Sequence, residues 1–158
     1  PYTTLFRSVL IRRFKFEGVK APARLFAADL AAAYWRYFAN AAVVPVPSRR
    51  STVRKRGWGA VEAVAAVLAA RHGIPVQRLL KRNAGRSQKT LDYEERLRNL
   101  SGAVALRRGA RSPDVTLPER VVLLDDIFTT GATAHECPDV LQRAGAERVD
   151  VLTIAIDL

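Results

Sequence analysis

The segment that most constrains the chain is Val121-Val122-Leu123-Leu124-Asp125-Asp126, followed after Ile127-Phe128 by Thr129-Thr130-Gly131-Ala132-Thr133. Four consecutive apolar residues with no polar alternation read as a strand buried on both faces, and such strands belong to parallel sheets covered by helices. Two carboxylates then fall just past the C-terminal end of that strand, where open α/β sheets bind ligands. Asp125 to Gly131 reads as a turn, and residues 132–144 as a helix ended by Gly145. A turn of small hydroxyl residues and Gly feeding a helix N-terminus presents backbone N–H groups and the positive end of the helix dipole, which together make an anion site. Thr129, Thr130 and Thr133 add hydroxyl donors, and Gly131 permits close backbone approach. One ligand satisfies both halves if it carries hydroxyls for the carboxylates and a phosphate nearby. A phosphorylated sugar meets that description.

The remaining patterns fit the same architecture. Residues 19–38 carry Leu25, Phe26, Leu30, Ala33, Tyr34 and Tyr37 at helical spacing. Ala42-Val43-Val44-Pro45-Val46-Pro47 is a short apolar run closed by prolines, read as a buried strand. Ser48 to Arg56 reads as a polar, basic loop, and Gly57 to Arg71 as a second helix stopped by Gly73 and Pro75. Strands are expected over residues 76–80, 102–106 and 149–156, a short helix over 92–97, and a polar loop over 107–119. Helices alternating with strands give an α/β fold: a mainly parallel twisted sheet flanked by helices.

Composition narrows the function classes. A length of 158 residues suits one domain, and the 49% hydrophobic content is that of a globular chain. No run of about 18 apolar residues exists, so membrane insertion is not expected and a cytoplasmic location is. The single Cys excludes a disulfide framework or a Cys-cluster zinc site within these residues. The net charge of +11 divides as +5, +9 and −3 over residues 1–48, 49–99 and 100–158. The positive surplus therefore lies in the middle, away from the motif. There is no Gly-x-x-x-x-Gly-Lys-Ser/Thr loop, and Gly57-Trp58-Gly59 does not complete Gly-x-Gly-x-x-Gly. Pro1-Tyr2-Thr3-Thr4-Leu5-Phe6-Arg7-Ser8 resembles a translated sequencing adaptor, and the chain contains no Met. Residues 1–8 are accordingly expected to be non-native, with 9–158 a single domain.

All thirteen positions of 121–133 resemble the 5-phosphoribosyl-1-pyrophosphate (PRPP) signature of the type I phosphoribosyltransferases. The resemblance implies that Asp125 and Asp126 hold the ribose hydroxyls as catalytic residues. It also implies that Thr129, Thr130, Gly131, Ala132 and Thr133 wrap the 5′-phosphate. A second set narrows the branch: Phe14-Lys15-Phe16-x-Gly18, Val44-Pro45-Val46-Pro47, Arg56-Gly57, Gln88, Leu91, Glu95-Arg96, Asn99 and Gly102-Ala103 occur in order. These resemble the ComF-type, competence-associated branch from about residue 9 to 156. Where that branch usually has Phe-Asn-Gln after Arg-Gly, this chain has Trp58-Gly59-Ala60, which removes two side-chain amides. The branch commonly carries an N-terminal Cys-rich zinc segment as well, and none lies in these residues.

The implied reaction is displacement of pyrophosphate from C1 of PRPP by an acceptor, usually a nucleobase nitrogen. Mg²⁺ enters with PRPP, held through the ligand's oxygens rather than by direct protein ligation. Ser48, Arg49 and Arg50 fall at the pyrophosphate loop, and Arg86 and Lys89 in the segment, about 81–103, that closes over such sites. His135 and Cys137 lie on the helix after the phosphate loop, Cys137 as core packing. Trp35 and Trp58 read as packing residues. The expected partners are PRPP and a nucleobase acceptor. The alternative reading is a non-catalytic PRPP-binding module that works in DNA uptake or processing, with single-stranded DNA or DNA-processing proteins as partners of the basic middle segment. A PRPP sensor is a third.

Overall fold

The computed structural model describes residues 9–14, 17, 20–83, 103–111, 117–128 and 132–156, with backbone alone at 111, 127–128, 132–135 and 155–156. Residues 9–14 are helical. They are followed by α1 (Pro22–Tyr37), β1 (Ala42–Pro45), α2 (Arg50–Arg56), α3 (Ala60–His72), β2 (Leu80–Arg82), β3 (Val104–Leu106), a 3₁₀ turn (Arg108–Arg111), β4 (Arg120–Phe128), α4 (Ala132–Gln142) and β5 (Arg148–Ile156). The order in the main sheet is β1-β4-β5, all parallel. Beside β1, residues 75–77 add a short parallel bridge: Val43 donates to the Pro75 carbonyl at 2.8 Å, and Gln77 donates to the Val43 carbonyl at 2.9 Å. β1 and β4 are thus flanked on both edges, and cores on both faces of the sheet enclose the apolar run Val121–Leu124 of β4. β2 and β3 form a separate antiparallel pair.

Strand alternation divides the core into two layers. Val43, Val122 and Leu124 face α1 and α3, joining Phe14, Phe26, Leu30, Tyr34, Val64 and Leu68. Val44, Val121 and Leu123 face the other way, onto Cys137 and Leu141 of α4 and onto Leu80 and Val104 of the small sheet. Local signals fix the element ends. Pro22 starts α1, where its missing N–H is no loss. Asn40, at φ 75°, makes the left-handed turn into β1, a conformation short polar side chains accept. Beside it the buried Tyr34 hydroxyl donates to the Ala41 carbonyl at 2.7 Å. Burial raises the Tyr34 pKa, opposed by a backbone hydrogen bond with Asn40.

Several sequence expectations need correction. Residues 50–56 are a helix rather than a loop: their Arg and Lys side chains are good helix formers, and Gly57 closes the helix at φ 77°. No residue of α2 is buried, so hydrophobic periodicity could not reveal it. The strand expected at 76–80 is reduced to the Val76 bridge, and the true strand begins at Leu80 in the antiparallel pair. Leu25, Trp35 and Tyr37 stand exposed on α1, whereas Trp58 packs against Phe14 with ring centroids 5.0 Å apart. The helix expected at 92–97 lies outside the described residues.

Candidate functional site

Asp125 and Asp126 lie within β4 rather than beyond it. The strand continues to Phe128 because β5 still pairs with it, Asp125 opposite Thr153 and Phe128 opposite Ile156. The neighbouring strand is shorter: β1 ends at Pro45, opposite Leu124, so Asp125 lies one residue past the end of β1. Both aspartates are half-buried. The Asp126 N–H donates to Asp125 Oδ1 at 2.8 Å, which orients that carboxylate. Asp125 shares the side of β4 that faces α4, and its charge reaches Cys137. The thiol there is fully buried, and its pKa is pushed up to about 12 by burial first, then by the negative charges of Glu136 and Asp125, with Arg82 acting in the opposite sense. Cys137 is thus a packing residue, and its thiol is held protonated.

The helix after the motif begins at Ala132, with Thr133 in its first turn. Thr129, Thr130 and Gly131 lie outside the described residues, as do Arg86 and Lys89 and the side chains of Thr133 and His135. Glu136, one turn further along α4, accepts the Val104 N–H at 2.9 Å and so ties β3 to the helix that carries the motif.

At the C-terminal end of β1 a cavity of about 210 Å³ opens, walled by Pro45, Pro47, Ser48 and Leu80. Five cationic side chains line it, Arg50, Arg78, Lys81, Arg82 and Arg107, against one carboxylate, Glu62. The Arg82 guanidinium donates to the Pro47 carbonyl at 3.2 Å, which anchors it at the mouth of the strand. Glu62 receives both the N–H of Ser48 (3.0 Å) and its hydroxyl (2.7 Å). So many cations in one concavity create a field suited to a small polyanion. Of the residues expected around a pyrophosphate, Ser48 and Arg50 are at this cavity. Arg49 instead precedes the first turn of α2 and is exposed.

Arg78, Lys81, Arg82, Arg107 and Glu62 were not singled out by sequence. Glu62 had one legible signal: it is the only acidic residue between Asp29 and Asp92. The cations had none beyond the overall basic balance, because a fold must bring residue 107 to residue 50. Among the described residues no group of three or more His, Cys, Asp or Glu side chains is placed to hold a metal, and no helix is long and apolar enough to cross a membrane.

The three-stranded parallel sheet with helices on both faces, carrying an acid pair at its C-terminal end, is a phosphoribosyltransferase fold. Over 84% of its length the chain superposes on the allosteric regulatory enzyme of purine biosynthesis (TM-score 0.51, 22% identity, 25% of that chain). It superposes equally on glutamine phosphoribosylpyrophosphate amidotransferase from B. subtilis, a structure in complex with ADP and GMP (TM-score 0.51, 25% identity, 84% of this chain and 26% of that one). No family model matches.

Within this class the chain belongs to the ComF family of competence proteins. It is 30% identical over 156 residues to competence protein F of Haemophilus influenzae, covering 94% of this chain and 67% of that protein. It is also 30% identical over 142 residues to competence protein ComFC of Streptococcus pneumoniae, covering 90% and 60%. The chain therefore spans about two thirds of the length of these relatives.

Proposed function

We propose that the protein binds PRPP and transfers its phosphoribosyl group to an acceptor with release of pyrophosphate. The observation that carries this reading is the adjacency of the Asp125–Asp126 pair to the basic cavity at one end of the sheet, across the β1–β4 boundary. In this reading Asp125 and Asp126 hold the ribose hydroxyls, and residues 129–133 take the 5′-phosphate at the start of α4. Ser48 and Arg50, with the cavity's other cations, take the pyrophosphate, and Arg49, Arg86 and Lys89 are further candidate phosphate contacts.

The bond from C1 to the pyrophosphate oxygen breaks, a bond from C1 to the acceptor nitrogen forms, and the acceptor loses a proton. Positive charge grows on the sugar and negative charge on the leaving group. Fixed carboxylates and fixed guanidiniums separated in this way stabilise both developments. The ligand's own oxygens suit Mg²⁺, a hard cation, which would supply further charge neutralisation when bound with PRPP, while Asp125 and Asp126 engage the sugar hydroxyls rather than the metal.

Pyrophosphate release from PRPP and Mg²⁺ over a panel of nucleobases tests the transfer. Release that depends on the base and disappears in the double variant Asp125→Asn/Asp126→Asn supports it. A chain that fails to bind PRPP refutes it.

A second reading has its own observation. α2 buries no residue and presents the exposed Arg50, Arg54 and Lys55, and the relatives carry competence names. A PRPP-binding module that engages single-stranded DNA through this helix accounts for both. Binding would weaken steeply with salt, as phosphate contacts do. Tight PRPP binding without turnover, together with DNA affinity lost on neutralising Arg49, Arg50 and Arg54, would favour it over transfer.

A further inference from the structure

We infer that Glu62 is a positioning residue that clasps Ser48 and so holds the start of α2 against the basic cavity. This inference rests on reading the cavity as the seat of a pyrophosphate group. Glu62 stands in the first turn of α3, where the helix dipole favours a carboxylate. A Glu at this place ordinarily reaches back to the backbone that opens its own helix. Here it reaches fourteen residues upstream and spends both oxygens on Ser48, Oε1 on the N–H and Oε2 on the hydroxyl. Ser48 is followed by Arg49, which opens α2, and then by Arg50, which lines the cavity. Fixing Ser48 therefore fixes where α2 begins.

Charge alone argues against an acid here. A carboxylate among five cations weakens the field an anionic ligand would feel. The double hydrogen bond supplies the compensating role. Gly59 is a second, independent observation. A Cβ at that position would overlap the Glu62 carboxylate and come within 2.9 Å of Ser48 Oγ. The absence of a side chain at residue 59 thus leaves room for the clasp.

Electrostatics and positioning predict opposite signs, so binding decides between them. Inorganic pyrophosphate and PRPP, each with Mg²⁺, are titrated calorimetrically into the wild type and three variants, with thermal melts confirming folding. Glu62→Ala and Gly59→Ala should each bind about tenfold more weakly, the scale of one hydrogen bond to a charged group. Glu62→Gln keeps the shape and can still accept the Ser48 N–H, so it should bind as well as the wild type or better. Hydrogen exchange at the Ser48 amide, measured without ligand, should accelerate in Glu62→Ala and Gly59→Ala but not in Glu62→Gln. Unchanged or tighter binding by Glu62→Ala overturns the inference, as does a Glu62→Gln as weak as Glu62→Ala. A wild type that binds neither probe overturns the pyrophosphate reading itself, and the positioning role with it.

Discussion

Val46 donates its backbone N–H to the carbonyl of Leu124 across 2.9 Å. Pro47, next in the chain, has no N–H to offer, and β1 leaves the sheet while β4 runs on beside β5. This single bond marks the line between two chemistries. On the β4 side the next residue is Asp125, and on the β1 side the chain opens into the basic cavity. The acid pair and the cations meet at one sheet end because two neighbouring strands have different lengths.

Arg82 serves both the wall of the cavity and its shape, through the bond to the Pro47 carbonyl. Arg82→Ala should reduce pyrophosphate affinity about tenfold or more, and Arg82→Lys should recover only part of it, since a point charge cannot reproduce the guanidinium fork. Calorimetric titration at two salt concentrations checks this. Equal affinity in all three proteins would refute it.

Cys137 makes stability depend on alkaline pH. Its thiol is held protonated to about pH 12 in the folded chain, against an ordinary value of 9.0. The unfolded chain loses that proton first as pH rises, so the stabilisation is complete below about 9 and declines between 9 and 12. The melting temperature should fall over this window more steeply in the wild type than in Cys137→Ala. The thiol should also resist alkylation at pH 8 until the chain is unfolded.

Glu136→Ala should cost about 1–3 kcal/mol, the penalty for leaving the Val104 N–H without its partner. Hydrogen exchange at Val104 should quicken by far more than at Val122 in the central sheet. A uniform increase across both strands would contradict a local tie.

Pro138 lies inside α4, where it cannot donate to the carbonyl four residues earlier. Pro138→Ala restores that donor and should raise stability by about 1–3 kcal/mol, readable as an increase in denaturation midpoint. An unchanged or lowered midpoint would show that the helix is built around the proline.

The central sheet was legible because burial on both faces leaves an unbroken apolar run, as in Val121–Leu124, and prolines mark where β1 stops. The acid pair was legible for the same reason: after four buried apolar residues, two carboxylates mark where β4 leaves the fully buried core. Less was visible where no hydrophobic period exists. α2 has no buried residue, so composition alone suggested a loop. The extension of β4 through Asp125 and Asp126 depends on β5 as a partner, and a strand edge satisfied from one side has no signature in the strand's own residues. The cavity's cations come from segments far apart in the chain, and only the register that sets Leu80 opposite Leu106 brings Arg107 beside Leu79, next to Arg78.

The seven residues of α2 contribute nothing to either hydrophobic layer and are closed off by Gly57 at one end and the Ser48 junction at the other. Folding exerts almost no selection on them. Apart from Arg50, which lines the cavity, their charges can be exchanged, one by one, as the molecule they meet changes, without any repacking of the core. α2 is in that sense a replaceable part: the segment through which such a chain can acquire a new partner while its sugar-phosphate machinery stays as it is.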